Sequence, residues 1–210
     1  MLIAGAKRHA KEILELLHQL NEIDELYFFD DISVDLKQTV YKKYPIIKSL
    51  DAIREFFGTQ PEFILGLGGT RTRNTLAEKL INQGGKLISL FSKDCNIGHY
   101  DVDLGPGLNV MYNALISNSV KIGAGTLVNA FVSVHHDVSI GRFCELSPHS
   151  VVLGGCTIGD FTSIGSNATI LPNIKIGNDV IIGAGSVVTK NIPDNATAFG
   201  VPAQVKYIGN

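Results

Sequence analysis

From Leu104 onward an aliphatic residue returns at every sixth position: Leu104, Val110, Ile116, Ile122, Val128, Val134, Ile140, Leu146, Val152, Ile158, Ile164, Ile170, Ile176, Ile182 and Val188. The position two before it is small or β-branched, as at Thr126, Val132, Val138, Cys144, Ser150, Cys156, Thr162 and Ala168. Glycine often follows directly, as at Gly123, Gly141, Gly159, Gly165, Gly177 and Gly183. A period of six fits neither an α-helix nor an ordinary alternating strand. It fits a chain wound as a triangular prism, with one short strand and one turn per hexad and three hexads per coil. The aliphatic residue points inward and the small residue fits near the corner. No such coil buries its apolar face alone, so stacking makes the core continuous. The expectation over residues 93–192 is therefore a left-handed parallel β-helix of about five coils. The tail IPDNATAFGVPAQVKYIGN breaks the period with Pro193 and Pro202. Residues 193–210 are expected to cap the open end, where exposed strand edges would invite aggregation.

Residues 1–92 follow another pattern. LIAG opens as a short apolar strand, and RHAKEILELLHQL then spaces Ala10, Ile13, Leu14 and Leu17 as one helical face. LYFF at 26–29 reads as a second strand, stopped by Asp30 and Asp31. Asp51 is placed to cap a short helix running through Phe57. EFILGLGG at 62–69 is a buried strand entering a glycine turn, Asn74 to Ile81 is helical, and KLISLF is a further strand. This alternation predicts a small parallel sheet with helices on both faces, a Rossmann-like α/β domain.

Composition narrows the function classes. With 210 residues, 45% apolar and 18% charged, the chain has the means to bury a core. A formal net charge of −2 gives no electrostatic case for a nucleic-acid or anionic-membrane partner. Cys95, Cys144 and Cys156 are an odd set without CxxC spacing. That argues against a disulfide framework or structural zinc and for small buried thiols in a reducing compartment. No signal-peptide run opens the chain, and no stretch reaches ~18 uncharged apolar residues. A soluble cytoplasmic protein is expected.

A prism of buried aliphatics holds little chemistry inside, so the polar interruptions of the repeat are the candidates. The clearest is Val134-His135-His136-Asp137. Imidazole is the usual general base near neutral pH, and a neighbouring carboxylate orients its ring. Acyl transfer from a thioester needs such a base, together with backbone N–H donors for the developing oxyanion. Two adjacent histidines in a turn are as readily a solvated surface pair, and spacing alone does not separate the readings.

The opening GAKRHAKEILELL, the pair FFDD, the strand-turn ILGLGGTRTR, the turn VSVHHDVSIGRF and the ending GVPAQVKYIG go further. With these features the chain resembles, end to end, the sialic-acid O-acetyltransferase-like family of hexapeptide acyltransferases. That family includes N-acetyltransferases acting on nucleotide-linked 4-amino-4,6-dideoxy sugars. The resemblance implies acetyl-CoA as co-substrate, no metal, and a homotrimer in which acetyl-CoA lies between neighbouring subunits. It assigns His136 as catalytic base and Asp137 as its supporting acid. Acetyl-CoA contacts map to the turns at Gly154, Ser166 and Ala184. Glu145 falls where the family often has a histidine near the thioester, a departure that removes a donor; His149 is a candidate substitute.

The resemblance also assigns residues 1–92 to the nucleotide sugar. His9 matches a family histidine, while Lys7 and Arg8 stand where small residues would let phosphate approach backbone N–H groups. They either bind phosphate by charge, block the usual mode, or are ordinary polar residues at a helix start, where positive charge opposes the helix dipole. Asp30 and Asp31 match an acidic pair at a strand end, a place where carboxylates often take ribose or base hydrogen bonds. Gly68 and Arg73 match a glycine and an arginine near the same pocket. The acceptor stays open between a nucleotide-linked amino sugar and a sialic acid or other free sugar. A non-catalytic trimeric scaffold in sugar biosynthesis is the third reading.

Overall fold

A computed structural model describes residues 1–34 and 37–209. Contacts divide the chain into two compact units, Met1–Gly68 with Thr72–Leu90, and Gly69–Arg71 with Phe91–Asn210.

The first unit is built on β1 (Leu2–Ala4), α1 (Arg8–Gln19), β2 (Tyr27–Phe29), β3 (Thr39–Val40), β4 (Tyr44–Ile47), α2 (Leu50–Phe57), β5 (Glu62–Leu65), α3 (Thr70–Ile81) and β6 (Lys86–Leu87). The sheet order is β3-β4-β2-β1-β5-β6. Its central pairs are parallel, and β3 closes one edge antiparallel to β4. Leu2, Ile3, Ala4, Phe28, Phe63, Ile64 and Leu65 are almost fully buried, as central strands of a parallel sheet require. The face of α1 carrying Ala10, Ile13, Leu14 and Leu17 is buried as its spacing requires.

Three local expectations need correction. Ser49, not Asp51, caps α2, its hydroxyl accepting from the Ala52 N–H at 3.3 Å. Asp51 instead sits in the first turn, where a carboxylate favours the helix dipole. Helix α3 begins at Thr70, before Asn74. KLISLF is two short strands, Lys86–Leu87 and Leu90–Phe91, which belong to different sheets.

In the second unit every aliphatic residue of the six-residue register is the second member of a two-residue strand, from Asp103–Leu104 to Val187–Val188. Each strand pairs in parallel with the one eighteen residues on, as Ser133 with Val151 and Val151 with Thr169. Among the described residues the three faces hold eight, six and five strands. The eight-stranded face ends in the antiparallel pair Ala196–Gly200 and Ala203–Ile208. The prism begins before Leu104, with Leu90–Phe91 and Asn96–Ile97. That start was hidden because Ile97 and Leu104 are seven residues apart. Asn96 accordingly pairs with Leu115, nineteen residues on.

The aliphatic column forms one cluster with Val132, Val138, Cys144, Cys156 and Ala168, all at most 1% exposed. Thr126 and Thr162, also fully buried, close their hydroxyls on the Gly141 and Gly177 carbonyls at 3.0 and 2.8 Å. The corners force an αL residue into each turn, and several are not glycine: Asp137, Phe131, Phe143, His149 and Phe161 all have φ between 49° and 62°. Bulky residues seldom adopt this conformation. Here their rings pile up along the prism, Phe143 on Phe161 (6.1 Å, 6° between planes) and Phe131 on His149 (4.8 Å, 2°). Offset stacking helps offset the backbone strain.

Truncating the middle of the column tests its weight. Ile164 is 0% exposed, and Ile164→Ala is expected to cost about 2–5 kcal/mol in denaturant unfolding, because coils above and below prevent collapse of the cavity. Burial pushes the Cys144 thiol up to about 12, and its S–H donates to the Gly159 carbonyl at 3.1 Å. Cys144 should resist thiol reagents at pH 8 until the protein unfolds. With its folded value raised, its contribution to stability is complete below about pH 9, near the unfolded value, and declines as pH climbs toward 12. Unfolding measured against pH in wild type and Cys144→Ala checks the sign.

Candidate functional site

The HHD turn sits at a prism corner, directly after the strand Ser133–Val134. Val134 is buried in the column, which directs the next residues outward. Asp137 is the αL residue of the turn at φ 60°, and its N–H donates to the Asn118 carbonyl one coil earlier at 3.3 Å. His136 Nδ1 lies 2.8 Å from Asp137 Oδ2. A carboxylate only accepts, so Nδ1 carries the proton and Nε2 presents its lone pair. Both side chains are about two-thirds exposed. A ring oriented this way is equipped to take a proton from an incoming nucleophile. His135 is partly buried beside it. The His136 carbonyl accepts from the Gly155 N–H at 3.0 Å, tying the turn to the next coil.

The positions expected at acetyl-CoA fall on two different edges. Gly154 follows the strand Val151–Val152 of the six-stranded face, one coil beyond His136. Ser166 and Ala184 follow Ser163–Ile164 and Ile181–Ile182 of the eight-stranded face, on successive coils of another edge. The Ser166 carbonyl accepts from the Gly185 N–H at 2.8 Å. One chain therefore does not bring the three together. Glu145 lies on the eight-stranded face, its carboxylate accepting from the Gly69 N–H at 2.6 Å, a use no local sequence feature signals. His149 is occupied in the stack with Phe131.

In the first unit the C-terminal ends of the strands surround a cleft of about 430 Å³. Lys7, Arg8, His9, Asp30, Asp31 and Gly68 all line it, with Phe29, Ile32, Leu67 and Leu76 as apolar wall. Gly5 makes the turn possible: its φ is +113°, and a Cβ there would lie 2.9 Å from the Gly66 carbonyl oxygen. Two peptide segments thus touch at the cleft floor, which only glycine permits. His9 Nδ1 bonds Glu12 at 2.9 Å.

The acidic pair is less free than its sequence suggests. Asp30 accepts from the N–H groups of Ile32 (3.2 Å) and Ser33 (2.9 Å) and from the Ser33 hydroxyl (3.0 Å), holding the following loop. Asp31 is bound by Lys79 of α3. That pairing spans 48 residues and has no local signal. Among the described residues Lys7, Arg8 and Asp30 form no ion pair, so two cations face one carboxylate without a cationic partner along the cleft. Arg73 stands behind the cleft lining, not in it. It is fully buried and donates to the Leu67 carbonyl at 2.8 Å, supporting the Gly66–Gly68 segment from behind.

Among the described residues no three His, Cys, Asp or Glu side chains converge as a metal site, and no helix is long and apolar enough to cross a membrane. Residues 1–80 match the PglD N-terminal domain, and residues 119–154 and 155–190 match the bacterial transferase hexapeptide (six repeats). No curated protein sequence matches the chain. Among solved structures, a histidine-to-asparagine mutant of perosamine N-acetyltransferase from Caulobacter crescentus, in complex with CoA and GDP-perosamine, is similar with 29% identity and a TM-score of 0.89, over 98% of this chain and 96% of that one. The acetyltransferase domain of PglB from Neisseria gonorrhoeae is similar at 27% identity and TM-score 0.88, over 98% of each chain. WeeI from Acinetobacter baumannii is similar at 26% and 0.87, also over 98% of each. The chain thus joins a PglD-type N-terminal domain over residues 1–80 to bacterial transferase hexapeptide repeats over residues 119–190, and two of the similar solved structures are acetyltransferases.

Proposed function

We propose that this protein transfers the acetyl group of acetyl-CoA to the amino group of a nucleotide-linked 4-amino-4,6-dideoxy sugar, with His136 as general base. The observation that carries the reading is the His136–Asp137 pair on the prism corner, with Nδ1 and Oδ2 2.8 Å apart and both side chains largely exposed. The Caulobacter crescentus protein, 29% identical, acts as a perosamine N-acetyltransferase and was solved with CoA and GDP-perosamine. That supports both the donor and the acceptor class.

The chemistry follows from the geometry. The sugar amine attacks the thioester carbonyl as Nε2 removes its proton. The resulting imidazolium, paired through Nδ1–H with Asp137, returns a proton to the departing coenzyme A sulfur. The C–N bond forms and the C–S bond breaks without any acyl-enzyme. Cys144, held as a buried thiol, has no part in it.

The functional division is 1–92 for the nucleotide and 93–192 for transfer, with 193–210 closing the coil end. The apolar wall of the first-unit cleft suits a base, and Lys7 and Arg8, without an ion-pair partner among the described residues, suit phosphate. Gly154 lies on one edge and Ser166 and Ala184 on another, so one acetyl-CoA touching all three needs edges of two copies. This supports a homotrimer with donor sites between subunits. Three free cysteines support a reducing, cytoplasmic setting.

The test is thiol release from acetyl-CoA across UDP-, GDP- and dTDP-linked 4-amino sugars and free sialic acids. Turnover is expected with one nucleotide sugar, reduced about 10²–10⁴-fold in His136→Ala. Undiminished turnover in that variant removes the mechanism, and turnover only with free sialic acid removes the acceptor. A second measurement addresses the cleft. Lys7→Ala with Arg8→Ala should raise KM for the nucleotide sugar several-fold, leave KM for acetyl-CoA unchanged, and flatten the salt dependence of wild-type binding.

A further inference from the structure

We propose that Gly154 is a positioning residue for the base: the side chain it lacks is the seat in which the His136 imidazole lies. The inference rests on His136 acting as the base.

A Cβ at Gly154 would meet three ring atoms, Cε1 at 2.5 Å, Nε2 at 2.8 Å and Nδ1 at 3.0 Å. The imidazole therefore lies across the Gly154 Cα. Backbone conformation gives no other reason for glycine here, because Gly154 is outside the positive-φ region that its neighbour Gly155 occupies.

The repeat gives no reason either. Leu115, Ser133, Val151, Thr169 and Val187 are register partners on one face. Three residues after each come Asn118, His136, Gly154, Pro172 and Lys190. Four of these five equivalent corner positions carry side chains, so the corner itself accepts them. Glycine occurs on the one coil that follows His136.

The backbone has no freedom to withdraw. Asn173 N–H donates to the Gly154 carbonyl at 3.0 Å, and Gly155 N–H donates to the His136 carbonyl at 3.0 Å. The imidazole, with its side chain 68% exposed, is the movable partner. An added methyl would swing the ring off the coil, take Nδ1 away from Asp137 and move Nε2 from where it meets the nucleophile. Displacements on the order of 1 Å in a reacting group cost about 100-fold in rate, while an exposed ring that swings into solvent costs little stability.

The competing role for Gly154 is a backbone contact with acetyl-CoA, and kinetics separates the two. With acetyl-CoA and the accepted nucleotide sugar, Gly154→Ala is expected to lower kcat by about 10–100-fold. KM for acetyl-CoA, CoA affinity and the thermal midpoint should stay near wild type. In a His136→Ala background the same change should add no further loss, because Gly154 acts through the ring. A raised KM for acetyl-CoA with kcat retained overturns the inference, as does an equal loss in both backgrounds or no loss at all. Should Gly154→Ala unfold, the thermal midpoint reads the same cycle: recovery in the double variant with His136→Ala supports the seat, and no recovery overturns it. Full turnover in His136→Ala alone is a separate result, which removes the base and not merely its seat.

Discussion

The aliphatic column inside the prism is the interaction on which the second unit depends. No two-residue strand has stability alone, and no single coil closes a core. Stacking val-, ile- and leucine side chains every eighteen residues makes each coil the floor of the next, as with Ile140, Ile158 and Ile176 on one face. Transfer of apolar surface from water drives this, and the parallel ladders satisfy the backbone as the column grows. Two of the polar side chains inside, Thr126 and Thr162, are small and bonded to glycine carbonyls.

That requirement pushes chemistry to the corners. A turn must swing through αL once per corner, and its outward residues are free of the packing rule. The proposed base and its carboxylate, His136 and Asp137, lie at such a corner. The same geometry distributes function among edges: His136 and Gly154 share one, while Ser166 and Ala184 share another. It also explains how a glycine can matter without making a turn, since the adjacent coil is the wall against which a corner side chain rests.

The first unit solves a different problem. Its cleft forms where parallel strands end and helices begin, and glycines at 5 and 66 let two segments touch beneath it. Its carboxylates are spent internally, Asp30 on its own loop and Asp31 on Lys79. Lys7 and Arg8 are left to set its charge. Positive residues at a helix start oppose the helix dipole, so their placement carries a small cost.

Periodicity determined the β-helix, its buried column and its small corner residues, because a two-residue strand repeated every six residues writes its register directly into the chain. Helical spacing determined α1, and strand-ending residues correctly marked the cleft. Adjacent residues need no fold to meet, so the sequence placed His136 beside Asp137, while the resemblance to a known family, not their spacing, chose them as base and acid. Everything that depended on distant residues was decided by tertiary structure. Asp31 meets Lys79, Glu145 meets Gly69, and Arg73 turns inward to Leu67 instead of facing the cleft. Gly154 reads in sequence only as a turn position where the resemblance maps an acetyl-CoA contact. Only the coil stacking, which lays residue 136 over residue 154, shows that it makes room for a ring. Contacts along one strand or helix are legible because the backbone period sets them. Contacts between elements are not, because they depend on how the elements pack.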